Sequence, residues 1–250
     1  MPDIKLVLLR HGESVWNKEN RFTGWKDVSL TKNGINEAIF SAEQINQLNI
    51  SIQSITTSIL KRAQQTTKIL VDKLNYPKED VKVDWRLNER HYGALQGLNK
   101  SETAKKYGEE QVKIWRRSYD IPPPMLSEDD KRHPKFDNKF NFIDSKNLPS
   151  GESLKMVIDR LIPFWETFKK NNFQFDKNHL IVAHSNSLRA IVKILDKLSE
   201  EEIISINIPT GVPLVYNFDK KFNVINKYYL IDDTKLKEKQ NIIANQGKAK

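Results

Sequence analysis

An apolar run at residues 5–9 (KLVLL) reads as a buried strand, and soon after it the period changes. Ile35, Ala38, Ile39, Ala42, Ile45 and Leu48 recur at three- and four-residue spacing, which is one face of a helix. The alternation then repeats. SIQSITT from Ser51 predicts a second strand, residues 59–74 a helix, and VKVDW at 81–85 a third strand. A helix over about 153–170 precedes HLIVA at 179–183, an apolar run that suits a strand covered on both faces. Another helix is expected over about 187–198. Ser199 followed by three glutamates has the form of a capping box opening a short helix. Finally GVPLVYNF and VINKYYLI flank residues 219–223 and predict a terminal hairpin. Strands alternating with helices predict an α/β fold.

Neither a repeat of solenoid length nor a Gly/Ser-rich linker interrupts this order. We expect a single domain over 1–231, with an irregular insertion at about 118–149 that carries the Pro-rich loop at 121–124. A mobile polar tail is expected over 232–250, with two readings, a solvated chain end and a functional lid.

Composition narrows the partners. Lys and Arg total 41 against 32 Asp and Glu, a net charge of +9, which favours anionic ligands. The cations are dispersed among acids rather than gathered in a block, so no nucleic-acid partner is expected. With no cysteine, a disulfide framework and a thiolate metal site are both excluded. No run approaches the roughly 18 apolar residues of a membrane span, and nothing resembles a targeting segment. A cytoplasmic protein without membrane contact is expected.

In open α/β sheets ligands bind beyond the carboxyl ends of the strands, where helix N-termini attract anions. Arg10 and His11 stand at such an end, and His184 follows the strand at 179–183 directly. Glu89 lies in the loop after the third strand, and Arg62 in the first turn of the helix after the second. One histidine at a strand end is ordinarily a structural side chain; the repetition of the pattern points to chemistry. A neutral imidazole can attack phosphorus while arginines and a second histidine neutralise the phosphoryl oxygens and a carboxyl carries the hydroxyl proton. A zinc site built from His11, His184 and a carboxylate is the rival. No HExxH pair exists, and the neighbouring arginines would repel a cation, so no metal is expected.

The segments LLRHGESVWNKENRFTGW, LKRA, RLNERHYGALQGLNKSETAKKYGEEQVKIWRRSYDIPPP, AHSNSLRA and NIPTGVPLVYNFD together resemble the cofactor-dependent phosphoglycerate mutases of the histidine phosphatase superfamily. The likeness runs from about Ile4 to Ile231. It implies a three-layer α/β/α sandwich with a mostly parallel sheet. It also implies that His11 is the phosphorylated nucleophile, that Glu89 is the general acid/base, and that His184, Arg10 and Arg62 stabilise the transferring group. Substrate contacts are implied for Ser14, Asn17, Thr23, Gly24, Arg90, Tyr92, Lys100, Arg116, Arg117, Ser185 and Asn186. The resemblance further implies priming by 2,3-bisphosphoglycerate without metal, phosphoglycerate substrates, a tail that can close over the site, and a homodimer or homotetramer.

Outside that likeness, Lys100, Arg116 and Arg117 would be surface charge, and Trp16 and Trp25 packing. His91 is assigned a supporting hydrogen bond, and His133 and His179 no role. Two places depart from the family pattern: Ser185 stands where glycine is usual, and HPKFDNKF at 133–140 differs. The Ser185 side chain either crowds a phosphate or donates to it; we expect activity to survive. The rival functions are a histidine phosphatase or bisphosphoglycerate mutase of the same superfamily, and a basic polyanion-binding protein on a dead catalytic fold.

Overall fold

The computed structural model describes residues 4–174 and 177–249; residues 1–3 and 175–176 of the expected domain and Lys250 of the expected tail lie outside them. The first half of the chain forms β1 (Ile4–Arg10), α1 (Val15–Lys18), α2 (Lys32–Asn46), β2 (Ile52–Thr57), α3 (Lys61–Leu74), β3 (Lys82–Val83), α4 (Lys100–Tyr107) and α5 (Glu109–Arg117). The second half forms α6 (Leu154–Asn172), β4 (Asn178–Ala183), α7 (Ser185–Asp196), α8 (Glu200–Ser205), β5 (Leu214–Phe218), β6 (Val224–Tyr229) and α9 (Asp233–Asn245). One six-stranded sheet runs in the order β3-β2-β4-β1-β5-β6. The first four of these strands are parallel, and the β5–β6 hairpin extends the sheet antiparallel to β1.

The central strands β1 and β4 carry uninterrupted apolar runs, Leu6–Leu9 and Leu180–Ala183, because each face of the sheet is covered. Successive side chains point to opposite faces. Leu6, Leu8, Ile181 and Ala183 pack on Leu161, Trp165 and Phe168 of α6 and on Leu188 and Ile191 of α7. Val7, Leu9, Leu180 and Val182 pack on Ala42 and Ile45 of α2 and on Leu70 and Val71 of α3. Each such side chain contributes about 1.5–3 kcal/mol of burial, and the paired cores hold β1 and β4 rigidly side by side.

Several boundaries differ from the sequence reading. β3 has only two residues because Asp84 Oδ1 accepts from Arg86 N at 2.9 Å and turns the chain into a 3₁₀ turn at Trp85–Leu87. α7 starts two residues early, at Ser185, and stops where Lys197 takes a left-handed conformation, φ 54°. α4 and α5 have no counterpart in the apolar pattern; Gly108, at φ +88°, separates them. The capping box is present, with Ser199 Oγ accepting from Glu202 N at 3.1 Å and Glu202 Oε2 from Ser199 N at 2.7 Å. Residues 118–149 carry short 3₁₀ turns at Pro134–Phe136, Asn138–Phe140 and Ser145–Asn147. Phe140 and Ile143 from this stretch cluster with Trp25, Ile59 and Leu60.

The loop leaving β1 is seated on the start of α2 by two glycines. A Cβ on Gly12 would lie 2.1 Å from the Gly34 carbonyl oxygen, and one on Gly34 would lie 2.1 Å from the Glu13 carbonyl oxygen. Only hydrogen at both positions allows this approach.

Candidate active site

His11 follows β1 and is tied to the neighbouring strand end by its backbone N–H, which donates to the Ala183 carbonyl at 3.1 Å. Its ring is buried, and Nδ1 sits 2.7 Å from the Gly12 carbonyl oxygen. A carbonyl only accepts, so Nδ1 carries the proton and Nε2 the lone pair. Arg62 Nε donates to that lone pair at 3.1 Å. Burial, and then the Arg62 and Arg10 charges, hold His11 well below the ordinary imidazole range. The ring is therefore neutral near pH 7, with its lone pair on the nitrogen that faces Arg62.

His184 follows β4, its ring centroid 4.9 Å from that of His11. Its Nε2 lies 2.6 Å from Ser58 Oγ at the end of β2, and Nδ1 is buried without a partner. Arg62 is gripped on its other side, Nη1 donating to the Lys26 carbonyl at 3.1 Å and Nη2 to the Gly24 carbonyl at 2.9 Å. Burial lowers its pKa to about 10, which still leaves it charged. Gly24, at φ +55°, thus orients Arg62 through its carbonyl. Arg10 donates from Nη1 to the Ile208 carbonyl at 2.8 Å and leaves Nε unpartnered and buried.

Glu89 is buried, and three donors converge on one of its oxygens. Oε1 accepts from Arg90 N at 2.8 Å, Asn186 N at 3.1 Å and Asn186 Nδ2 at 2.8 Å. The Glu89 carbonyl is held in turn by Trp25 Nε1 at 2.6 Å and Arg160 Nη2 at 3.0 Å. Asn186 is aimed by Arg189, whose Nη1 donates to its Oδ1 at 2.9 Å. The Tyr92 hydroxyl lies 3.3 Å from Asn186 Nδ2, and Arg90 stacks over the Tyr92 ring at 4.9 Å.

These groups enclose one pocket. Of the residues singled out in the sequence, Arg10, His11, Arg62 and Glu89 line it, as do Asn17, Thr23, Tyr92 and Lys100. Arg116, Arg117, Ser185 and Asn186 complete that set. Ser14, Gly24, Arg90 and His184 stand behind the lining. Ser14 caps α1, accepting from Asn17 N at 3.3 Å and so fixing the residue that does reach the pocket. Arg90 donates from Nη2 to the Trp115 and Arg116 carbonyls, both at 2.7 Å, which docks α5. Thr23 Oγ1, Arg90 Nε and Arg90 Nη1 are buried and unpartnered.

Arg21, Arg189, Ile243 and Gln246 also line the pocket and were not anticipated. Arg189 had a legible signal, since it lies three residues beyond Asn186 on the same helix face. The two tail residues had none, because a polar chain end carries no pattern. Gln246 Oε1 accepts from Lys100 Nζ at 3.0 Å, its carbonyl accepts from Asn20 Nδ2 at 3.0 Å, and the Ile243 carbonyl lies 3.4 Å from Arg116 Nη2. So closed, the pocket measures about 50 Å³, a third of the roughly 150 Å³ cavity that admits benzene. Arg10, Arg21, Arg62, Lys100, Arg116, Arg117 and Arg189 line it against one carboxylate, Glu89. Such a site attracts a multiply charged anion.

Comparison with known proteins accords with this geometry. The chain matches the histidine phosphatase superfamily (branch 1) over residues 6–132 and 125–230. It is 52% identical over 246 residues to the 2,3-bisphosphoglycerate-dependent phosphoglycerate mutase of Borrelia garinii subsp. bavariensis, spanning 98% of this chain and 99% of the relative. The enzyme of the same name from Borreliella afzelii is 52% identical over 244 residues, spanning 98% of each. Among solved structures, a protein described as mycobacterial hydrolase 1 is similar with a TM-score of 0.69 at 22% identity, over 92% of this chain and 97% of that one. A mycobacterial glucosyl-3-phosphoglycerate phosphatase follows with a TM-score of 0.67 at 23% identity, over 85% and 92%. These two share the fold.

Proposed function

We propose that this chain, which belongs to the 2,3-bisphosphoglycerate-dependent phosphoglycerate mutases of the histidine phosphatase superfamily, interconverts 3-phosphoglycerate and 2-phosphoglycerate by way of a phosphorylated His11. The observation that carries the mechanism is the pairing of a neutral imidazole, its lone pair at Nε2, with the single carboxylate of a closed pocket whose lining also holds six arginines.

The buried, unpartnered Arg10 Nε and Thr23 Oγ1 in the lining fit an acceptor-rich, doubly phosphorylated ligand. Arg10, Arg62, Lys100, Arg116 and Arg117 would hold it. When bound, 2,3-bisphosphoglycerate supplies the phosphoryl group that primes His11.

His11 attacks phosphorus through Nε2. The P–O bond to the leaving oxygen breaks as the P–N bond forms, and Glu89 returns to that oxygen the proton it took from a hydroxyl in the preceding transfer. The Gly12 carbonyl, bound to Nδ1–H, stabilises the positive charge that grows on the ring. Arg62 Nε–H gives up the lone pair and turns to a phosphoryl oxygen. Arg10 Nε and His184 Nδ1 offer further positions for the charge in transit, His184 being held by Ser58. In the return step a substrate hydroxyl gives its proton to Glu89 and takes the phosphoryl group from His11. Because Oε1 is occupied by its three donors, Oε2 is the oxygen left for the hydroxyl. Lys100, Arg116 and Arg117 bind the carboxylate and the phosphate that does not move. The tail excludes water, so that a hydroxyl and not water receives the phosphoryl group.

The six arginines named above would also repel a catalytic metal ion. Among the described residues no helix is long and apolar enough to cross a membrane. A cytoplasmic location and a homodimeric or homotetrameric assembly belong to the same reading and rest on the cysteine-free composition and on the family.

The test is phosphorus NMR of the purified protein with 3-phosphoglycerate, trace 2,3-bisphosphoglycerate and excess EDTA. Growth of 2-phosphoglycerate to a stable mixture, dependent on the bisphosphate, is the expected result. Inorganic phosphate accumulating without the isomer would instead make the protein a phosphatase.

A further inference from the structure

Behind the loop that carries Glu89 lies a second cavity of about 230 Å³. It shares no lining residue with the pocket above. Its walls are the aromatic side chains of Trp16, Trp25 and Phe140, with the Trp25 and Phe140 centroids 5.0 Å apart. His91 forms its inner end, edge-on to Trp25 at 6.0 Å.

His91 is the observation that points to a ligand. Its Nδ1 accepts from Gly93 N at 3.1 Å, so the proton of the neutral ring is on Nε2. That N–H is fully buried and has no acceptor. A buried donor left unpaired costs about 1–3 kcal/mol, and an acceptor brought into this cavity would recover it. The remaining polar groups are also mostly donors. Gln96 Oε1 is taken by Trp25 N at 3.1 Å, which leaves its amide NH₂. Lys26 and Lys131 stand exposed at the rim. Arg132 is committed to Asp130, and Asp137 is the one carboxylate in the lining, with its Oδ1 accepting from Lys139 N.

We propose that this cavity is a binding site for a small planar aromatic anion of the aryl carboxylate class, its ring between Trp16, Trp25 and Phe140 and its charged acceptor reaching His91 Nε2–H or the rim lysines. Aromatic walls tilted to one another favour an aromatic body, donors select acceptors, and the volume exceeds the roughly 150 Å³ that holds benzene. The site is separate from the phosphate pocket and does not depend on the proposed reaction.

Calorimetric titration with benzoate tests this, using protein saturated with 2,3-bisphosphoglycerate so that the phosphate pocket is filled. Cyclohexanecarboxylate, with the same charge and no flat ring, is the control. Saturable one-to-one binding of benzoate at least tenfold tighter than the control is expected. Trp16→Leu should weaken it tenfold or more and Lys131→Met about threefold, with the thermal midpoint of each variant unchanged. His91→Phe keeps a ring and removes the donor, and should also cost tenfold; if it fails to fold, the other two variants decide. No saturable heat, equal affinity for the two acids, or benzoate binding unaltered in both Trp16→Leu and Lys131→Met would overturn the proposal.

Discussion

Arg62 Nε donates to His11 Nε2 at 3.1 Å, so in the resting protein the lone pair of the proposed nucleophile is held by the cation proposed to serve the phosphoryl group. The remaining guanidinium nitrogens grip the Gly24 and Lys26 carbonyls, which fixes where Arg62 sits and leaves Nε as the part that changes partner. Arg62→Gln keeps a neutral donor but loses the charge and the grip. We expect kcat to fall about 10²–10³-fold with a smaller change in KM, read by steady-state kinetics. A kcat within threefold of the parent would show that Arg62 has no part in the transfer.

Burial is the leading cause holding His91 down at about 3 and His179 at about 4. Both return to about 6.5 on unfolding, so below that pH the unfolded chain binds more protons than the folded one. Stability is therefore full above 6.5 and declines as pH falls toward the folded values. By pH 5 each histidine has cost about 2 kcal/mol, and His11 and His184 act in the same direction. Urea melts at pH 7.5 and pH 5 measure this; equal midpoints would contradict it.

Arg189 is a positioning residue, acting on Glu89 through Asn186. Arg189→Met should lower kcat about tenfold while KM moves less than about threefold. If KM rises and kcat holds, Arg189 is instead a simple substrate anchor.

Removal of residues 233–250 takes away Ile243 and Gln246 and opens the pocket to solvent. Mutase turnover should drop about tenfold or more and the share of inorganic phosphate should rise, because water then competes for the phosphoryl group. Phosphorus NMR separates the two products. An unchanged product ratio would mean that the tail does not exclude water.

Ser185 opens α7 and lines the pocket half-exposed. Since the helix accommodates it without strain, Ser185→Gly should leave kcat/KM within about threefold. A far larger gain at equal folding would show that the side chain crowds the phosphate.

The central strands and the residues ending them were legible because burial on both faces writes an uninterrupted apolar run. The residue after such a run stands at the sheet's carboxyl edge, as His11 and His184 do. α4 and α5 were illegible for the opposite reason. Their buried positions include Lys100 and Arg116, which line the cationic pocket, and Thr103, whose hydroxyl bonds the Asn99 carbonyl, so no apolar stripe marks them. Arg189 was legible only through its spacing, three residues beyond Asn186 on the same helix. The edge strand β3 failed because a two-residue ladder stabilises little, and the Asp84 turn ends it.

The close approach of Gly12 to Gly34, and of Gly34 to Glu13, joins the loop bearing His11 to the first turn of α2 backbone to backbone. Stabilisation by exchanging glycines for alanine, a routine means of shrinking the unfolded ensemble, has to bypass both positions. Changing them together brings no relief, since each added methyl would collide with a carbonyl rather than with the other methyl. An engineer seeking a hardier variant, or a lineage drifting neutrally, finds this junction closed and must look elsewhere for room to vary.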